Sequence, residues 1–245
     1  MKKILQICCD SLPSATNTKI GGADRIELCE NLAQGGVSPS AGIIILAKKY
    51  LKIPVFVLIR PRKGDFFYNG LEVECMLENI RQAKKLGADG IVSGALLKDG
   101  GIDLETTERL IEATRPLPFT FHRAFDRCLD PFQALNELKQ LRVNRILTSG
   151  QAVNAQAGIS MLKDLIKTAD EDITIMAAGS IRPANIAILS KVEGLTEFHS
   201  AASKKVNSAV TFYGKVPMGS EALDSEYSWF EVDEEMVRAM KKQLL

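Results

Sequence analysis

Eight short apolar runs, separated by longer segments with helical periodicity, constrain the fold of this chain more than any other feature. The runs are rich in branched residues and recur about every 20–35 residues, the spacing that alternating strands and helices require. Each run is apolar along most of its length, as expected for parallel strands that are covered on both faces. The eight runs are Ile4–Cys9, Arg25–Cys29, Val55–Arg60, Gly90–Gly94, Phe119–His122, Arg145–Ser149, Ile173–Gly179 and Thr196–His199.

Helix-start signals lie between these runs. Asp103 opens one segment with an acidic first turn, and Asp130 precedes Pro131 at the start of another. No Gly-x-Gly-x-x-Gly motif follows the first run, which argues against a dinucleotide-binding sheet. The pattern therefore predicts an α/β fold, a (β/α)8 TIM-type barrel over residues 1–203, with an irregular or incomplete last unit.

The segment from Lys204 to Leu245 breaks this rhythm with a polar stretch, an aromatic group and a final helix that begins near Asp233. We expect it to form a C-terminal extension (204–245) that packs on the barrel or on a second subunit. The sequence does not decide between the two.

Composition limits the classes of partner. The 245 residues include 31 Lys and Arg against 30 Asp and Glu, so a general attraction to nucleic acid or to an anionic membrane is not expected. No apolar run approaches the ~20 residues that cross a bilayer. The five cysteines are odd in number and lie mostly in apolar segments, which is typical of a reducing compartment and predicts a cytoplasmic protein.

The chain has only two histidines, and each stands at the end of an apolar run. His122 and His199 would therefore face the barrel mouth, where ligands bind in this fold. Asp126 follows His122 in the same loop and could fix its tautomer. All three are candidate acid–base residues.

Glu27 lies within the second run. Strand alternation places it on the same face as Cys29, pointing into the barrel. An isolated buried carboxylate is costly, so Glu27 needs a partner; the candidates are Arg60, Arg62 and the two histidines. Glu27 is predicted to be either a general base or a member of a buried salt bridge.

Arginines near the third run indicate an anion site. Arg60 and Arg62 bracket a proline, and paired guanidinium groups suit a carboxylate or a phosphate. The alternative is that they neutralise Glu27 and Asp65. Both interpretations stay open at this stage.

Three further residues are candidates for ligand binding. Arg123 adds a cation beside the first histidine, and Ser149 and Gly179 end the two late runs whose loops hold phosphate in many barrels. The alternative is that these segments are ordinary strand-to-helix turns that bind no ligand, since such turns have the same kind of sequence.

Cys8 and Cys29 occupy equivalent points of successive strands, so the barrel would bring two thiols together on its inner face. Two soft sulfur ligands suit monovalent copper better than magnesium or calcium. The alternative is that both are small buried hydrophobic residues.

Several segments, in order along the chain, resemble those of the CutC family, described as copper homeostasis proteins. The matching segments are Ile7-Cys8-Cys9, Gly22-Ala23-Asp24-Arg25-Ile26-Glu27-Leu28-Cys29, Gly35-Gly36-Val37-Ser38-Pro39-Ser40, Ile59-Arg60-Pro61-Arg62-Lys63-Gly64-Asp65-Phe66, Asp99-Gly100-Gly101-Ile102-Asp103, Thr120-Phe121-His122-Arg123-Ala124-Phe125-Asp126, Leu147-Thr148-Ser149-Gly150 and Phe198-His199-Ser200.

The resemblance implies a cytoplasmic barrel that self-associates and handles copper, with Cys8 and Cys29 as the Cu(I) ligands. One position departs from the family pattern, since Gln6 stands where a glutamate is usual. This change disfavours a mechanism that needs two acids at the mouth, and affects a thiol-based copper site less.

Two functions are therefore expected as alternatives. The first is a copper homeostasis protein that binds Cu(I) through the thiol pair. The second is an enzyme acting on a small anionic metabolite that bears phosphate or carboxylate, with Glu27, His122 or His199 in acid–base roles.

Overall fold

Eight parallel strands form a closed barrel in sequential order, which confirms the predicted fold. The structure is a computed structural model, and it describes residues 2–217 and 226–245. Most strands end one or two residues earlier than the predicted runs, because the last residues of those runs already turn into the mouth loops. The strands are β1 Ile4–Cys9, β2 Arg25–Leu28, β3 Val55–Leu58, β4 Gly90–Ser93, β5 Phe119–Phe121, β6 Arg145–Thr148, β7 Thr174–Ala177 and β8 Glu197–Ser200.

Seven helices alternate with these strands, and two begin at the predicted caps. The Asp103 carboxylate accepts a hydrogen bond from the Thr106 amide, and Asp130 caps the helix that starts at Pro131. Across residues 2–217 and 226–245, every helix is too short or too polar to span a bilayer. The helices are α1 Leu12–Ile20, α2 Ala41–Tyr50, α3 Gly70–Lys85, α4 Leu104–Thr114, α5 Pro131–Gln140, α6 Ile159–Ala169 and α7 Pro183–Leu189.

A two-stranded antiparallel sheet lies between the eighth barrel strand and the last helix. It consists of β9 Ser203–Asn207 and β10 Ser228–Val232, and the helix α8 Glu234–Leu244 follows it. This helix packs against both α7 and α1 and so closes the ring of helices around the barrel. The approach to α1 is close, because a Cβ at Gly21 would lie 2.6 Å from Val237. The predicted division of the chain at residue 203 stays a prediction.

Strand alternation separates an apolar outer layer from a polar interior. At the beginning of the strands, Arg25 and Arg145 both bond to Glu197, the second pair at 3.1 and 3.2 Å. The Phe56 ring lies 4.8 and 5.5 Å from the two guanidinium carbons. A Cβ at Gly90 would come within 2.6 Å of that ring, so glycine makes room for it. Ions and one aromatic ring therefore fill the lower end of the barrel.

Thr120 points into this interior without a partner. Its hydroxyl is fully buried and has no hydrogen bond among the described residues. We expect Thr120→Val to raise the free energy of unfolding by about 1 kcal/mol, because it removes a buried polar group that gains nothing on folding. Ser93→Ala is the matched control: this hydroxyl donates to the Ile59 carbonyl at 2.8 Å, so its loss should destabilise by about 1–2 kcal/mol. Urea unfolding measures both, and destabilisation by Thr120→Val would contradict the interpretation.

Candidate functional site

A cavity of about 480 Å³ opens at the carboxyl ends of the barrel strands. Its position agrees with the expectation that ligands bind at this end of the fold. Nine of the eleven residues singled out from the sequence line it. They are Cys8, Glu27, Cys29, Arg60, His122, Arg123, Asp126, Gly179 and His199.

The other two side chains lie outside the lining. Arg62 turns away from the cavity and pairs with Glu72 at 2.5 Å and with Asp65 at 3.0 Å. Ser149 is fully buried, and its hydroxyl accepts a hydrogen bond from Arg123 at 3.2 Å. Both residues therefore support the mouth loops. Ser149 lies behind Arg123, which does line the cavity.

Asp126 does not pair with His122, as the sequence had suggested it could. Its carboxylate accepts hydrogen bonds from Arg123 Nε at 2.6 Å, Thr148 Oγ1 at 2.5 Å and the Ser149 amide at 2.9 Å. The turn that follows β5 directs Asp126 toward the end of β6. This carboxylate therefore ties two loops together and orients Arg123.

His122 is buried and neutral. Its Nδ1 accepts a hydrogen bond from the Ala124 amide at 3.3 Å, and its Nε2 has no partner among the described residues. The ring meets the edge of Phe66 at a centroid distance of 4.8 Å. Burial, together with the nearby positive charge of Arg60, lowers the pKa of His122 to about 3.

Arg60 holds the loops at one side of the mouth. Its guanidinium donates to the carbonyls of Gln34 at 3.3 Å, Gly36 at 3.0 Å and Gly64 at 2.9 Å. It makes no ion pair with Glu27 among the described contacts. The suggestion that Arg60 neutralises this carboxylate is therefore wrong, because backbone carbonyls already occupy most of its donors.

Glu27 lies near one of its predicted candidate partners, His199, and near Gln6 and Arg25, which sequence reasoning missed. Gln6 Nε2 donates to its carboxylate at 3.2 Å, and His199 Nδ1 lies 4.0 Å away. Burial raises the pKa of Glu27 to about 7, although the charge of Arg25 acts in the opposite direction. Strand alternation could have predicted the influence of Arg25, because Arg25 lies two residues before Glu27 and points to the same inner face of the barrel.

His199 receives a hydrogen bond from the same amide. Gln6 Nε2 lies 2.9 Å from His199 Nδ1, at a position where the two residues are paired across β1 and β8. Burial, with the positive charges of Arg123 and Arg25, lowers the pKa of His199 to about 3. Both histidines of the chain are thus neutral at physiological pH.

Cys8, on β1, and Cys29, directly after β2, both line this cavity. Cys8 Sγ donates to the Ser200 carbonyl at 3.6 Å, and Cys29 Sγ donates to the Cys9 carbonyl at 3.5 Å. Burial raises the pKa of both thiols above the ordinary value, so both are protonated at neutral pH. In the described part of the chain, His, Cys, Asp and Glu side chains form no group of three or more that could hold a metal.

The rim contains polar residues that the sequence did not single out. Arg182 donates to the Ser200 hydroxyl at 3.2 Å, and Arg127 and Ser180 also line the cavity. Gly179 adopts φ +96°, a conformation that favours glycine, where the chain leaves β7.

Comparison with known proteins agrees with the resemblance seen in the motifs. A family model described as the CutC family matches residues 3–204. This chain belongs to the CutC family. A human relative, named copper homeostasis protein cutC homolog, is 45% identical over 238 residues, which cover 97% of this chain and 87% of the relative. A family protein CutC of Parabacteroides distasonis is 45% identical over 241 residues, covering 98% and 99% of the two chains.

Solved structures give the same result for the fold. A crystal structure described as a copper homeostasis protein CutC, from Streptococcus agalactiae, is 35% identical with a TM-score of 0.78, covering 81% of this chain and 98% of that one. A 3-keto-L-gulonate-6-phosphate decarboxylase from Vibrio cholerae is only 13% identical, with a TM-score of 0.59, and covers 100% and 98% of the chains. The second likeness shows the barrel alone.

The buried histidines should make stability depend on pH. In the unfolded chain a histidine binds a proton below about pH 6.5, whereas in the folded chain His122 does so only near pH 3. At each histidine, protons therefore favour unfolding in this range, and its contribution to stability falls as the pH drops, by up to ~1.4 kcal/mol per pH unit. Urea unfolding of the wild type and of His122→Asn between about pH 7 and about pH 4.5 measures the effect. Glu27, whose pKa is raised by burial to about 7, acts in the opposite direction in both proteins and so cancels from their comparison. The variant should show the smaller slope, and parallel curves would contradict neutral burial.

Proposed function

We propose that this protein binds Cu(I) through Cys8 and Cys29 and serves copper homeostasis. The observation that carries the proposal is that two free cysteines, one on β1 and one directly after the neighbouring strand β2, line one cavity. Cu(I) prefers soft sulfur ligands and does not require the larger ligand set of zinc. The family membership supports the same metal, since curated relatives carry the name copper homeostasis protein.

The other cysteines are poorly placed for this role. Cys9 faces away from the cavity, with its thiol 3.1 Å from the Thr18 hydroxyl, and Cys75 is exposed on α3. Cys128 bonds to the Gln151 amide. A cytoplasmic location and self-association belong to the same proposal, and free thiols throughout the chain are compatible with a reducing compartment.

Thiol substitution tests the copper site. Cys8→Ser/Cys29→Ser should weaken Cu(I) binding by at least about 100-fold, because the variant loses both soft ligands. The matched control is Cys9→Ala/Cys75→Ala, which removes two thiols and leaves the proposed pair intact. The measurement is an anaerobic Cu(I) titration against a competing chelator, with thermal unfolding to show that each variant folds.

The pH dependence of that titration provides a second readout. Burial raises the pKa of Cys8 and Cys29, so Cu(I) must displace their protons, and the apparent affinity should rise with pH. Equal Cu(I) affinity in the two double variants would rule out this site.

A second candidate function rests on a different observation. The cavity is far larger than one metal ion needs, and four arginines line it: Arg60, Arg123, Arg127 and Arg182. Polar groups that converge on a concave pocket at the mouth of a barrel are typical of an enzyme that binds a small molecule. We propose as the alternative that this site acts on a small anionic metabolite, with the charged group at Arg123 and Arg182.

Inorganic phosphate serves as the probe for this alternative. Phosphate should stabilise the wild type by about 1.4 kcal/mol at a concentration ten times its dissociation constant. Arg182→Gln should reduce that effect, whereas Arg62→Gln, which removes an arginine outside the cavity, should retain it. Thermal unfolding measures the difference. If phosphate does not stabilise the wild type, or acts equally on both variants, a phosphate site at Arg123 and Arg182 is refuted.

A further inference from the structure

Gln6 is fully buried and lies behind Glu27 and His199, two residues that line the cavity. Its neighbours across the barrel strands are Arg25 on β2 and His199 on β8. Its side-chain amide bonds to both of them and also to Glu27. One neutral amide therefore connects the ion cluster below it to the two acid–base candidates above it.

The chemistry of these partners fixes the orientation of the amide. Arg25 can only donate, so the group that it meets on Gln6 must be the oxygen, Oε1. The two protons on Nε2 are then directed to Glu27 at 3.2 Å and to His199 at 2.9 Å. A flipped amide would place two donors against each other.

This orientation determines the tautomer of His199. A ring nitrogen that accepts a hydrogen bond carries no proton, so the proton of the neutral imidazole is on Nε2. Among the described residues, the Glu27 side chain accepts a hydrogen bond only from Gln6. Glu27 and His199 both line the cavity, so they offer it one acceptor and one donor.

We propose that Gln6 is a positioning residue, and that the Glu27–His199 pair which it holds binds a hydroxyl group of a small anion. The hydroxyl donates to the Glu27 carboxylate and accepts from His199 Nε2–H. The charged end of the ligand lies toward Arg182, which already bonds to Ser200, the residue next to His199. This inference rests on the second candidate function and adds to it the ligand class, a hydroxylated phosphate or carboxylate.

The first test needs no ligand. Long-range ¹H–¹⁵N spectra report the tautomer of each histidine, and the chain has only two. In the wild type, Nδ1 of His199 should carry no proton. Gln6→Glu replaces the donor with an acceptor and should move a proton onto this Nδ1, while His122, whose Nδ1 faces a backbone amide, stays unchanged as an internal control. A wild-type His199 protonated on Nδ1 would overturn the proposal.

The second test uses two matched pairs of probes, measured by calorimetry. Glycerol 3-phosphate is compared with propyl phosphate, and glycerate with propionate, so that each pair differs only in its hydroxyl groups. If the natural ligand is a phosphate, glycerol 3-phosphate should bind about tenfold more tightly than propyl phosphate. If it is a carboxylate, glycerate should bind more tightly than its partner by the same factor. Gln6→Glu should abolish this preference and retain binding of the other member. If that variant does not fold, Gln6→Met, which also lacks the donor, replaces it.

The outcomes separate the two proposals. Equal binding of both members of each pair would overturn the role of Gln6 and leave the anion site intact. If none of the four probes binds, both this inference and the second candidate function are refuted. An unchanged preference in a folded Gln6 variant would also overturn the inference.

Discussion

The buried cluster of Arg25, Arg145 and Glu197 is the interaction on which the rest of the barrel interior depends. Two guanidinium groups share one carboxylate at the lower end of the barrel, where water has little access. Removal of Glu197 would leave two buried guanidinium groups without their carboxylate, and an uncompensated buried charge typically costs about 3–5 kcal/mol. The cluster also orients Gln6, because Arg25 donates to its amide oxygen. The chemistry at the mouth is therefore set by charges at the opposite end.

The barrel could be predicted from the sequence because its signals are local. A parallel strand covered on both faces must be apolar, and a helix must begin at a capping residue such as Asp103 or Asp130. The position of α8 could not be predicted in the same way. It follows the strand pair β9–β10 rather than the eighth strand. Its placement between α1 and α7 depends on a close contact at Gly21, and hydrophobic periodicity does not predict such a contact.

It was easier to predict which residues line the site than to predict which of them bond to one another. Residues at strand ends reach one mouth in any barrel, so Glu27 and His199 could be placed at one cavity from their positions alone. Which atoms bond depends on barrel register, and register aligned Gln6 with His199 and Arg25. Asp126 shows the same limit, since it follows His122 closely in sequence yet bonds to the next strand's loop.

The glutamine at position 6 affects the electrostatics of both proposed sites, the copper site and the anion site. A carboxylate there would face Glu27 and His199 and would add negative charge beside Cys8, whose pKa already rises through burial and through the charge of Glu27. The neutral amide avoids that repulsion and satisfies three neighbours at once. Since Cys8 and Glu27 are register partners, a metal held by Cys8 and an anion whose hydroxyl group is bound by Glu27 would lie side by side. The two candidate functions therefore compete for the same cavity, and saturation with one ligand should weaken the other.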